Sequence, residues 1–144
     1  MKTNLMFYIF LFCGGVLGGT AVIISAWGAH GLELVFEKSP NDRFSFNYAT
    51  NFQIFHSLLL IIISFYSINR KKDLILLIIT CSLTIIGILL FCFPIYLRII
   101  FNYSNFSIVT PFGGVCFFVS WFLISAWAVF KIYLLMKGLF KILK

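Results

Sequence analysis

Acidic residues are almost missing from this chain. Four carboxylates (Glu33, Glu37, Asp42 and Asp73) stand against eleven Lys and Arg in 144 residues, and neither a carboxylate nor a lysine falls within the core of any apolar run. The usual carriers of proton or sodium coupling are therefore lacking, which weighs against a secondary transporter. No inverted repeat is detectable either. The four cysteines, Cys13, Cys81, Cys92 and Cys116, all fall inside apolar runs, with no C-x-x-C pair and no spacing like that of a zinc site. They read as small hydrophobes, and a Cys92–Cys116 disulfide has no support in the pattern.

What is abundant is apolar surface. With 62% hydrophobic residues, 10% charged and a mean hydropathy of +1.07, the chain has more than a soluble core of this size can bury, and it belongs in a bilayer. Crossing ~30 Å of hydrocarbon takes about 20 helical residues. Four stretches qualify: 5–27, 48–68, 74–97 and 109–133. The expected fold is an all-α integral membrane protein, one four-helix transmembrane bundle over residues 1–144. The first run exceeds the apolar stretch of a signal peptide and is expected to be a permanent helix.

The formal charge of +7 suggests nucleic acid only until the bases are located. Lys2, Arg70, Lys71, Lys72, Lys131, Lys137, Lys141 and Lys144 lie on one side of the spans, and Lys38, Arg43 and Arg98 on the other. By the positive-inside rule both termini face the cytoplasm, and no nucleic-acid partner is expected. The first loop, 28–47, alternates Leu32, Val35 and Phe36 with Glu33 and Glu37 at helical spacing. This predicts a short amphipathic helix on the outer membrane surface, ended by "SPND".

The first helix contains "GGVLGG", two overlapping G-x-x-x-G patterns. Gly14 and Gly18 share one stripe and Gly15 and Gly19 the next, so close backbone approach is expected here, within the bundle or between two copies of the chain. The second helix gathers Gln53, His56, Ser57, Leu60, Ser64 and Ser67 within about a third of its circumference. The third aligns Thr80, Thr84, Gly87 and Pro94. Both faces should point inward, since unpaired polar groups in hydrocarbon cost several kcal/mol each. Pro94 predicts a kink or an end near "FCFPIY". In "TPFGG", Thr110 is expected as N-cap, Pro111 as first helical residue, and Gly113 and Gly114 as a close-approach site.

Given this topology, His30, Gln53, His56, Tyr96 and Thr110 all belong to the outer half of the bundle, where they are expected to form a polar network. Nothing comparable occupies the inner half. The ordered set "GAHGLE", "NFQIFHSL", "GILLFCFPIY" and "TPFGGVCFFVSW" resembles the small bacterial membrane proteins of domain-of-unknown-function family 423. The chain departs from that pattern at Phe93 and Pro94 and at Ser120. The resemblance implies a four-helix inner-membrane protein and brings no established activity.

Function has to be argued from the residues themselves. Ser57 and His56 are adjacent and project about 100° apart, so they do not form a nucleophile–base pair. His30 and His56 are the residues a haem or metal reading would use, but one lies at the end of its helix and the other two turns into its own. The reading that remains is a structural or accessory protein without catalytic residue, metal or cofactor, binding membrane lipid, a larger membrane complex or a second copy of itself. A small transporter or channel, or a haem- or metal-binding protein using His30 and His56, is the alternative.

Overall fold

The computed structural model describes residues 2–67 and 73–142, with side chains described for 5–67 and 73–138. Arg70, Lys71 and Lys72, which carry much of the charge asymmetry, lie outside the described residues. The elements are α1 (Lys2–Gly31), α2 (Glu33–Lys38), α3 (Pro40–Ser67), α4 (Leu74–Phe101), a 3-10 turn (Ser107–Val109) and α5 (Thr110–Ile142). α1, α3, α4 and the 107–138 stretch that ends in α5 are long and apolar enough to cross a membrane.

Successive spans run antiparallel. α1 packs on α3, α3 on α4 and α4 on α5, with only a minor contact between α1 and α4. Half of the membrane-crossing window of α3 is buried, against 11% for the stretch that ends in α5, so α3 is the central member and α5 is mostly exposed. The polar stripe of α3 accounts for this burial. Gln53, His56, Ser57, Ser64 and Ser67 are all buried beside Leu60, and Thr80, Thr84, Gly87 and Pro94 are buried on α4.

The start of α3 and the end of α4 differ from the sequence reading, each for a local reason. α3 begins at Pro40 rather than near residue 48: proline lacks only an N–H that the first helical turn leaves unbonded anyway. "SPND" is thus a start as much as a stop, with Ser39 ending α2 and its carbonyl accepting the Asp42 N–H at 3.0 Å. α4 continues through Pro94 to Phe101. Loss of one backbone bond is tolerated where neighbouring helices cover the freed groups. Here α5 lies directly on that turn, since a Cβ on Gly113 would come within 2.5 Å of the Phe91 nitrogen and 2.8 Å of the Leu90 carbonyl carbon. α4 is capped instead by Asn102, whose φ of 53° is left-handed, with the Tyr103 N–H returning to the Leu97 carbonyl at 3.2 Å.

Thr110 is not the expected N-cap. Its φ of −53° and ψ of −44° are helical, and its N–H bonds to the Ser107 carbonyl. The 3-10 turn runs straight into α5 and takes over the capping role. Pro111 consequently falls at the second position of α5, still within the turn that needs no backbone donor.

The surface helix α2 is present as a single short element. Leu32 and Phe36 are buried beneath it, and Glu33 and Glu37 are exposed. Two ion pairs tie neighbouring spans at opposite ends, Arg98–Asp42 at 3.1 Å between α4 and α3 and Lys131–Asp73 at 2.8 Å beside the start of α4. All four cysteines are free thiols.

Candidate functional site

α3 places two polar side chains three residues apart, and so on neighbouring positions of one face. Each reaches a different partner helix. The Gln53 amide donates from Nε2 to the Leu17 carbonyl at 2.8 Å and to Thr20 Oγ1 at 3.0 Å, both on α1. Its Oε1 accepts the Tyr96 hydroxyl of α4 at 2.9 Å. One buried side chain thereby joins three spans. Tyr96 is held edge-on by Phe46, with ring centres 5.5 Å apart.

His56 faces the other way, toward α5. Its Nδ1 lies 2.7 Å from the Phe52 carbonyl, which can only accept, so Nδ1 carries the proton. Nε2 is then a lone-pair acceptor and receives the Trp121 indole N–H at 3.2 Å. The imidazole is therefore neutral with both nitrogens engaged. Phe117 stacks on the ring at a centroid distance of 3.7 Å and 22° between planes, and Phe52 stacks at 5.7 Å. This histidine is sealed among aromatic rings. Holding a metal would require its one lone pair to leave Trp121, and no group of three or more His, Cys, Asp or Glu is arranged to bind a metal among the described residues.

The five residues expected to form one outer network do not join. Gln53 and Tyr96 bond directly, and His56 belongs to a separate cluster with Trp121. His30 is exposed in the last turn of α1, and Thr110 is half-buried. The physical reason lies in α1. His30 follows the angular position of Gly15 and Gly19, and a Cβ on either glycine would meet nothing within 4 Å. That stripe faces away from the bundle and carries His30 with it.

The adjoining stripe is the packed one. A Cβ on Gly14 would come within 2.8 Å of Ile61 Cγ1 and 3.0 Å of the Ser57 carbonyl oxygen, one on Gly18 would touch Ser57 at 3.5 Å, and one on Gly28 would enter the Phe46 ring. Gly114 makes only ordinary contact with Phe91 at 3.9 Å, so Gly113 alone requires the close approach in "TPFGG".

Thr20, Phe117 and Trp121 were missed by reading the sequence. Trp121 carries a recoverable signal: α3 and α5 both start at the same end, so residues at similar distances from their starts lie at similar depth. Thr20 carries none, since nothing in α1 distinguishes the rotation that turns it toward Gln53.

The remaining buried hydroxyls are locally bonded. Ser57 donates to the Gln53 carbonyl at 2.6 Å, Ser64 to Leu60 at 2.6 Å, Thr84 to Thr80 at 2.9 Å and Ser120 to Cys116 at 2.9 Å. None is aligned with a base, so the interior holds no nucleophile–base pair among the described residues.

Comparison with known proteins is consistent with this membrane architecture. A family model described as protein of unknown function (DUF423) matches residues 24–114, a segment that includes Gln53, His56 and Tyr96. The UPF0382 membrane protein YwdK of Bacillus subtilis (strain 168) is 31% identical over 122 residues, covering 84% of this chain and 96% of that protein. No solved structure matches. The match to the family spans more than half of the sequence, and the chain belongs to the DUF423 family of membrane proteins of unknown function.

Proposed function

We propose that the protein is a structural or accessory component of the cell inner membrane, with both termini cytoplasmic, acting through surfaces that meet lipid or a larger membrane complex. The observation that carries this reading is the internal pairing of the intramembrane polar groups. Gln53, His56, Tyr96 and the buried hydroxyls bond within the bundle, and Trp127 Nε1 is the single buried side-chain polar atom without a partner among the described residues. A site poised for chemistry or conduction would keep a polar group available to substrate or ion. The large exposed apolar faces of α1 and α5, including Phe12, Ile23, Phe118 and Phe122, supply the surface instead.

The test is mild extraction followed by native mass spectrometry and co-purification. Lipid retained at fixed stoichiometry, or one protein partner recovered at a constant ratio, supports the accessory reading. Proton or sodium flux into liposomes that Gln53→Leu or His56→Ala abolishes would replace it with transport.

A second reading concerns self-association. The outward stripe at Gly15 and Gly19, open to 4 Å, favours a homodimer in which two α1 helices approach at their glycines. Gly15→Leu/Gly19→Leu should then leave the monomer folded and abolish the dimer in crosslinking experiments.

A further inference from the structure

Where α1 ends and α3 begins, a cavity of about 140 Å³ is lined by Gly28, Ala29, Glu33, Phe36, Glu37 and Arg43. Glu33 and Glu37 stand one turn apart on α2, and Arg43 rises from the first turn of α3 with its guanidinium carbon 6.0 Å from the centre of the Phe36 ring. The ion pairs among the described residues are Arg98–Asp42 and Lys131–Asp73, so these opposite charges share a cavity without closing on one another. Arg98, the nearby cation, is already engaged by Asp42.

The rim is apolar. Leu34 is 73% exposed and Phe44 62% exposed, and each neighbours a charged member of the cavity in sequence. The cavity also sits at the end of the membrane-crossing stretches that finish at Gly31 and start at Pro40. Charged groups at headgroup depth with exposed apolar side chains beside them match a molecule that has a charged head and acyl chains.

We infer that this cavity binds the headgroup of a zwitterionic phospholipid bearing a primary ammonium, the ethanolamine type. The ammonium donates to the Glu33 and Glu37 carboxylates, and the phosphate accepts from the Arg43 guanidinium; both are charge-assisted contacts. The two carboxylates disfavour a net anionic headgroup by like-charge repulsion. A choline headgroup cannot donate hydrogen bonds to them, and the one phenyl ring in the cavity, Phe36, already has Arg43 near it. A divalent cation would use the carboxylates but meet the guanidinium. The inference rests on the lipid-binding branch of the accessory reading, and it can fail while a protein partner recovered by co-purification still supports that reading.

The experiment is native mass spectrometry of the full-length protein in detergent, titrated with dioleoyl phosphatidylethanolamine, phosphatidylcholine and phosphatidylglycerol at equal concentration. One bound phosphatidylethanolamine is expected, with occupancy about fivefold or more above the other two, a margin supplied by the charge-assisted contacts of the ammonium to Glu33 and Glu37. The double variant Glu33→Gln/Glu37→Gln should bring it down to the phosphatidylcholine level, and Arg43→Ala, which removes the contact to the shared phosphate, should lower the occupancy of phosphatidylethanolamine and phosphatidylcholine alike. These side chains are exposed, so unchanged thermal unfolding verifies that the variants fold. Equal retention of phosphatidylglycerol, undiminished selectivity in the carboxylate double variant, or undiminished occupancy in Arg43→Ala would overturn the assignment. Displacement of the lipid by an equal concentration of glycerophosphoethanolamine, which lacks acyl chains, would point to a soluble ligand, and displacement by calcium would point to a cation site; either would overturn it too.

Discussion

The indole N–H of Trp121 on α5 donates to Nε2 of His56 on α3 across 3.2 Å, and this bond fixes the histidine as a neutral acceptor. Among the described residues the only other polar contact of the ring is the Phe52 carbonyl one turn earlier. His56 thus works as a clamp between two spans, and Gln53 beside it clamps the other two.

Removing one end of the His56 clamp should cost stability. Trp121→Phe leaves Nε2 unpaired in an apolar setting and should destabilise by about 1 kcal/mol, since interhelical hydrogen bonds in membranes are worth roughly 0.6–1.7 kcal/mol. His56→Ala should cost more, because the stacking on Phe117 goes as well. A double-mutant cycle on reversible unfolding in mixed micelles measures the coupling between the two.

For Gln53 the order of effects is informative. Gln53→Leu removes three bonds and strands the Tyr96 hydroxyl, whereas Tyr96→Phe removes one bond and leaves the contacts to Leu17 and Thr20 in place. The first should destabilise by about 2 kcal/mol and the second by about 1 kcal/mol or less. The same unfolding assay ranks them, and a reversed order would mean that Gln53 does not hold the three spans together.

The glycines of α1 should split into two classes. Gly14→Ala and Gly28→Ala force a methyl into Ile61 and Phe46 respectively and should lower stability by about 1–3 kcal/mol, the range for overpacking. Gly15→Ala and Gly19→Ala meet open space and should be neutral or slightly stabilising through helix propensity. Melting temperatures of the four single variants decide this.

This split shows where the sequence stops being informative. "GGVLGG" announces close approach, but two stripes 100° apart have equal claims on the partner helix, and only packing against Ser57 and Ile61 selects Gly14 and Gly18. The inward faces of α3 and α4 were readable because Gln53, His56, Thr80 and Thr84 are polar in otherwise apolar runs. The fate of Pro94 was not: whether a proline ends a helix depends on what covers the freed carbonyl, and here a glycine 19 residues later in the chain, Gly113, brings α5 over it. The isolation of His30 was not readable either: it shares the angular position of Gly15 and Gly19, and only the packing shows that this stripe faces out.

His30→Ala should accordingly change stability by no more than the roughly ±0.5 kcal/mol typical of uncovered surface positions. A loss comparable to that of His56→Ala would show that α1 is rotated from the arrangement described.

The most direct test of the central claim, that the interior polar groups hold the bundle together and the surfaces carry the function, is temperature-ramped native mass spectrometry of wild type and His56→Ala extracted under the same mild conditions. The account predicts that the variant unfolds at a lower temperature while its folded fraction keeps the same lipid or partner adducts. Unchanged unfolding with loss of a bound species would contradict it, because His56 would then be serving a ligand and not the fold.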